Sequence, residues 1–152
     1  MIRAALVASA LFALTATTAS AAEILIKDDK SGPESMAVGP DGALYVGSAN
    51  TPYVYRVAKG STTAEVFIDA SGEGAGTYFW GVLAEPAANT LWTCQHTPVA
   101  GARPMRRATQ LRGFDLKTGA EKLRWTLPGD NTACNDFAVG PDKALYITDT
   151  GN

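Results

Sequence analysis

Residues 135–149 read NDFAVGPDKALYITD: two polar residues, an apolar run, a Gly-Pro-Asp turn and a second run with alternating apolar residues. This pattern predicts two strands joined by a tight turn. Residues 34–48 repeat the phrase as ESMAVGPDGALYVGS, and residues 80–94 carry a looser copy, WGVLAEPAANTLWTC. The prolines at positions 40, 86 and 141 mark the same point in each copy, 46 and then 55 residues apart. A repeat of about 40 to 50 residues is typical of the four-stranded blades of a β-propeller.

The segments between the copies supply the outer strands that each blade needs. Runs of strand-forming residues over 53–57 and 64–68 complete a first four-stranded unit, and residues 110–115 and 121–127 complete a second. Residues 24–26 form a short apolar run that we also expect to be a strand. Asp115 and Gly119 bracket the turn between the last two strands, where Asp115 is expected to accept backbone amides and Gly119 to adopt a positive φ.

The count of strands predicts an all-β fold with about two and a half antiparallel blades. β-Propellers close a ring of about four to eight blades. We therefore expect this chain to be a fragment of a longer propeller that is truncated at its C-terminus.

The first 21 residues have the features of a secretory signal peptide. Arg3 supplies a positive start, residues 4–14 form an apolar run, and Ala19-Ser20-Ala21 is a cleavage site of the A-x-A type. The alternative is a retained membrane anchor, but the apolar run is shorter than the roughly 20 residues that a span needs. We expect residues 1–21 to be removed, leaving a periplasmic or secreted domain, residues 22–152, with no membrane span.

Export would place Cys94 and Cys134 in an oxidising compartment, where they either form a disulfide or remain free thiols. A bridge would close a loop of about 40 residues, worth on the order of 4 kcal/mol in the chain-entropy model. Two single cysteines so far apart do not form a zinc-binding pattern.

Several function classes find no support in the sequence. The chain has a formal net charge of −2 and no block of like charge, so no nucleic-acid partner is expected. No Gly-x-Ser-x-Gly motif occurs, and His96 is the only histidine. We expect His96 to be a surface or loop residue. Residues 97–108 are expected to form a long loop whose arginines are either solvated or face an anionic substrate: Arg103, Arg106 and Arg107.

Three motifs resemble one known family. Residues 32–37 (GPESMA), 135–139 (NDFAV) and 145–150 (LYITDT) resemble the SMP-30/gluconolactonase/LRE family. That family belongs to a superfamily of six-bladed, metal-dependent propellers, which also includes paraoxonases and strictosidine synthase-like proteins. The Gly-Pro-Glu opening resembles the strictosidine synthase-like branch as well, and NHL-repeat propellers share the hairpin phrase. The resemblance covers residues 32–152, about the first half of such a domain.

The resemblance implies a divalent cation, often calcium, at the mouth of the central channel. Glu34 and Asn135 match two of the family's ligand positions, and their oxygen atoms are of the kind that calcium prefers. The alternatives are a solvated loop residue for Glu34 and a turn-closing side chain for Asn135. Asp136 would contact a ligand residue or the substrate, or would form a turn. Asp149 would face the channel or serve as a structural residue at a strand end.

The function implied is that of an exported hydrolase, which opens a sugar lactone or a related ester at the cation. No catalytic residue is assigned, because the family's general base would lie beyond Asn152. The alternative is a non-catalytic, NHL-like propeller that binds a small molecule or a protein. In that case later inner strands would begin with apolar or small residues rather than with an Asn or Asp.

Overall fold

The computed structural model describes residues 23–102 and 106–151. The first sheet contains β1 (Pro33–Val38), β2 (Leu44–Ser48), β3 (Tyr53–Val57) and β4 (Glu65–Asp69). The second contains β5 (Tyr78–Glu85), β6 (Thr90–Pro98), β7 (Arg107–Asp115) and β8 (Glu121–Thr126). The third contains β9 (Cys134–Val139) and β10 (Leu145–Asp149). A short 3-10 helix, Ser71–Glu73, lies between the first two sheets.

The three sheets are successive blades of a β-propeller, as the repeat predicts. Each sheet is an antiparallel meander whose strands pair in sequence order. The first strands of the three sheets lie side by side, since β5 packs against β1 on one flank and β9 on the other. We call the end where these inner strands begin the mouth end, and the end with their proline turns the turn end. Within the described residues no helix is long and apolar enough to cross a membrane.

The proline turns show why the repeated phrase folds in the same way twice. Asp41 and Asp142 each accept the backbone N–H of the residue two positions on, Ala43 and Ala144, at 3.0 Å. Such a side-chain bond stabilises a tight turn without help from the rest of the fold. The looser middle copy has Asn89 at φ 48° instead, a conformation that asparagine tolerates better than most residues.

Two apolar seams join the blades. The first seam lies between blades 1 and 2 and buries Tyr45, Val54, Phe79, Leu91 and Phe114. The second seam lies between blades 2 and 3 and buries five residues, including two cysteines: Cys94, Leu111, Leu127, Cys134 and Phe137. Residues of β6 thus contribute to both seams, with Leu91 in the first and Cys94 in the second, as expected of a strand buried on both faces.

Two sequence-based expectations about strands are wrong. Residues 24–26 are not a strand, because only Leu25 makes a single parallel bridge, to Thr63. The predicted loop 97–108 is shorter, because Thr97 pairs with Ala108 and Pro98 pairs with Arg107, so the hairpin of β6 and β7 extends four residues beyond Cys94. The predicted signal peptide, residues 1–21, and Arg103 lie outside the described residues.

The predicted turn between β7 and β8 is confirmed. Asp115 Oδ1 accepts the backbone N–H groups of Lys117 at 3.0 Å and Thr118 at 2.9 Å. Gly119 has φ 72°, in the left-handed region that favours glycine. These bonds hold the Asp115 carboxyl pKa below its ordinary value, with the amide of Thr118 as the largest cause.

Candidate functional site

All three inner strands carry an irregularity at the same point near the mouth end. The pairing shifts between Pro33 and Met36 in β1, between Trp80 and Val82 in β5, and between Cys134 and Phe137 in β9. Each shift inserts one extra residue on the inner strand, which defines a β-bulge. Bulges turn a side chain away from its regular direction and are frequent beside functional sites.

The repeat places three residues in equivalent positions at these bulges. Counting six residues back from each proline of the repeat gives Glu34, Trp80 and Asn135. The two predicted cation ligands are therefore structural equivalents, and an aromatic residue occupies the same position in blade 2. The three copies of the repeat, residues 34–48, 80–94 and 135–149, already align these positions in the sequence.

The carboxylate of Glu34 reaches from blade 1 to blade 2. Its Oε2 atom accepts the backbone N–H of Gly81 at 3.1 Å, and the neighbouring Ser35 hydroxyl accepts the N–H of Val82 at 2.7 Å. Two side chains of β1 thus satisfy amides that the bulge in β5 leaves unpaired. Glu34 is exposed, and its Oε1 has no hydrogen bond with any described residue, so one carboxylate oxygen stays available.

Asn135 lies on the other flank of the same glycine. A Cβ at position 81 would collide with the carbonyl oxygen of Asn135, and Gly81 has φ 57°. Position 81 therefore needs glycine both for its backbone conformation and for the approach of β9. The side chain of Asn135 is half-buried and makes no hydrogen bond with another described residue. Glu34 and Asn135 thus come to opposite sides of Gly81, a residue that sequence reasoning missed.

Asp136 and Asp149 have local structural partners. Asp136 is exposed, and its Oδ1 accepts the N–H of the next residue, Phe137, at 2.8 Å. Asp149 Oδ1 accepts the N–H groups of Ala133 at 2.7 Å and Gly151 at 2.9 Å. Asp149 therefore ties the end of β10 to the segment that leads into β9.

The donor chemistry at the bulges fits a hard divalent cation. Glu34 offers a carboxylate oxygen and Asn135 an amide oxygen, and calcium takes about six to eight such oxygen ligands. Glu34 and Asn135 would supply two of these oxygen ligands. Within residues 23–102 and 106–151, no group of three or more His, Cys, Asp or Glu side chains is arranged to hold a metal.

A disulfide joins blades 2 and 3 directly beside Asn135. Cys94 of β6 and Cys134 of β9 are bonded, with their Cα atoms 5.5 Å apart and both residues fully buried. The bridge attaches the start of β9 to blade 2 one residue before the candidate ligand. It therefore limits how far Asn135 can move relative to Gly81.

His96 is a buried residue of β6, so its predicted surface or loop position is wrong. The residue is 1% exposed, and its ring stacks on Tyr78 at 4.8 Å between centroids, with Trp80 tilted against it at 4.7 Å. Nε2 lies 2.9 Å from the carbonyl oxygen of Cys134, which can only accept, so Nε2 carries a proton. Burial lowers the pKa of His96 below its ordinary value, which keeps the ring neutral.

The rings border a cavity of about 180 Å³ between blades 2 and 3 at the mouth end. Its walls include Tyr78, Trp80 and His96, and its rim includes Arg106 and Arg107. Two of the three arginines singled out from the sequence therefore meet here. No sequence signal placed His96 in this wall, because its burial depends on the lengthened hairpin.

Comparison with known proteins supports the same class of fold. Residues 19–50 match the family model described as strictosidine synthase-like, N-terminal, a β-propeller family. The matched segment includes Glu34 and the first hairpin, so the chain is similar to strictosidine synthase-like proteins over that part. No curated protein matches the chain.

Proposed function

We propose that this chain forms one sector of an exported, metal-dependent β-propeller hydrolase that resembles gluconolactonase. Glu34 and Asn135 would hold a divalent cation, calcium, at the mouth end, and the substrate would be a lactone or a related ester. The observation that carries the proposal is the repeated bulge, which brings the Glu34 carboxylate and the backbone of Asn135, from different blades, to Gly81. A cation bound there would polarise a carbonyl group and lower the pKa of a bound water.

The residues of the chain would orient the donors before the cation binds. The Gly81 amide fixes one oxygen of Glu34 and leaves the other available. The disulfide at Cys134 restrains the backbone that carries Asn135. Donors held in place lose less conformational freedom on binding, which favours affinity.

Calcium binding to the complete propeller that contains this chain, followed by calorimetry, tests the proposal. Loss of a partner one step removed from a metal typically weakens binding about 10–100-fold, so removal of a direct ligand should cost at least about tenfold. We expect this loss in Glu34→Gln and in Asn135→Ala. Glu65→Gln is the matched control, because Glu65 is an exposed carboxylate on the outer strand β4 and should bind as the unaltered chain does.

Hydrolysis of a sugar lactone and of a simple aryl ester, measured on the same proteins, tests the activity. Turnover should fall together with calcium affinity in the two site variants. A folded complete propeller that binds no calcium, or site variants that bind it as tightly as Glu65→Gln, would contradict the proposal. The non-catalytic propeller that presents its mouth end to a ligand would then be the better description.

A further inference from the structure

The cavity between blades 2 and 3 combines three flat rings with two cations. Tyr78 and His96 lie parallel, at 8° between their planes, and Trp80 closes the corner at 4.7 Å from His96. Arg106 and Arg107 stand at the rim. Because Tyr78 and His96 are stacked on each other, they present ring edges to the cavity. Ring edges contact the face of a bound aromatic ring, and the guanidinium groups bind an anionic substituent.

The size of the cavity selects the ligand. A buried cavity of about 150 Å³ is large enough to hold benzene. The cavity here is about 180 Å³, which leaves space for one six-membered ring and one small substituent at the rim. A larger aromatic system, such as two fused rings with side groups, would exceed this volume.

Two arginines and one carboxylate, Asp130, line the cavity, so positive charge predominates there and favours an anion. Arg107 makes no ion pair with a described residue, and its guanidinium lies 5.4 Å from the centre of the Tyr78 ring. Arg106 has only the weak pair with Asp130 at 3.8 Å, in which both side chains are exposed. Exposed pairs of this kind contribute little and exchange readily. His96 is 1% exposed and stacked on Tyr78, so it borders the cavity with its ring edge rather than with a free face.

The position of the cavity connects it with the bulges. Trp80 forms its wall and directly precedes Gly81, and Ala133 also lines it two residues before Asn135. We propose that this cavity is a binding site for a small cyclic carboxylate, with the ring against Tyr78, Trp80 and His96 and the carboxylate at Arg107. The site does not depend on a cation at Glu34 and Asn135. If both sites exist, the substrate of the proposed hydrolase carries a ring with a carboxylate.

Benzoate is the probe that tests this site. Benzoate is titrated into the full chain with a chelator present, so that no divalent cation contributes. Calorimetry and the indole N–H resonance of Trp80 measure the binding. Arg107→Gln should weaken benzoate binding by about tenfold or more, the usual effect of one hydrogen bond to a charged group. Arg106→Gln should weaken it less, because Asp130 already competes for that side chain.

The controls separate this site from others. Arg56→Gln removes an equal charge at the turn end, beside Asp41, and should leave benzoate affinity unchanged. Glu34→Gln should also leave it unchanged, so the failure of this proposal and the failure of the proposed cation site are distinguishable. Circular dichroism establishes that each variant is folded before titration.

Four results would overturn the inference. The first is no saturable benzoate binding to the folded chain, and the second is an equal loss of benzoate affinity in Arg107→Gln and Arg56→Gln. The third is benzyl alcohol that binds as tightly as benzoate, and the fourth is inorganic phosphate that binds as tightly as benzoate. The third would show that the carboxylate is not recognised, and the fourth that the ring is not.

Discussion

The two seams of the molecule are held together by different interactions. The first seam has the larger apolar cluster, with Tyr45, Phe79 and Leu91 almost fully buried. The Tyr45 hydroxyl donates to the Leu116 carbonyl across it at 2.7 Å. The second seam has a smaller apolar cluster and a covalent bridge, and it leaves the aromatic cavity at the mouth end.

The mouth end of the first seam is closed by charged groups. Arg112 is buried and pairs with Glu73 at 3.3 Å and Glu121 at 2.7 Å, while Arg124 bonds Glu73 at 2.6 Å. Gln95 completes the network as an acceptor for Arg112. The two arginines and two glutamates neutralise one another's charge, so they leave little net charge for a ligand, although Arg112 Nε is buried without a hydrogen-bond partner among the described residues. The disulfide of the second seam holds its blades together without filling the space between them, so at the mouth end the cavity lies in the second seam.

The largest effect should come from removing the disulfide. The double variant Cys94→Ala with Cys134→Ala should lose about 4 kcal/mol of unfolding free energy, because the unfolded chain regains the freedom of a loop of 40 residues. Urea denaturation measures the loss, and hydrogen exchange should show greater opening of β9 and β10 than of β1 to β4. A reducing agent added to the unaltered chain should reproduce the loss. Unchanged stability in both experiments would show that the apolar contacts alone hold the second seam.

A smaller effect is expected at Gly81, where β5 meets β9. Gly81→Ala should cost about 3 kcal/mol, because the new methyl group combines a strained backbone with a collision against Asn135. Gly60→Ala is the matched control, since Gly60 has φ 80° and no atom lies within 4 Å of the place that its methyl group would take. It should cost only the backbone strain, about 1 kcal/mol. Equal losses of unfolding free energy in the two variants would mean that β9 does not press on position 81.

The smallest effect is expected in the ionic network of the first seam. Glu73→Gln should cost about 2 kcal/mol at pH 7, because Arg112 and Arg124 lose a charged acceptor. Arg124, followed by Gln95 and Arg112, lowers the pKa of Glu73 from 4.5 to about 2. A lowered pKa means that the charged form stabilises the fold, so this contribution is complete above about pH 4.5 and disappears as the pH falls towards 2.

The difference in unfolding free energy between Glu73→Gln and the unaltered chain should therefore shrink between about pH 4.5 and about pH 2. Urea denaturation at several pH values measures it. Glu65→Gln serves again as the control, with no expected change. A difference that stays constant over this range would show that the charge on Glu73 does not stabilise the first seam.

Local signals allowed most of the fold to be predicted. The phrase around each proline specifies its own hairpin, since Asp41 and Asp142 form their turn bonds with residues two positions away. The turn at Asp115 and Gly119 was predictable for the same reason. The expected strand at residues 24–26 was wrong, because an apolar run becomes a strand only where a partner strand offers a ladder, and Leu25 finds only Thr63.

The sequence by itself determined the blades, their order and the residues that begin each inner strand, including Glu34 and Asn135. Tertiary structure decided which of these residues meet. Gly81 stands between the two candidate ligands because blade 2 lies between blades 1 and 3, and His96 is buried because blade 3 covers the extended end of β6. Contacts between blades join residues that are tens of positions apart in the sequence. A local sequence pattern does not predict which of these distant residues will meet. The cavity with its rings and arginines exists only at such a contact.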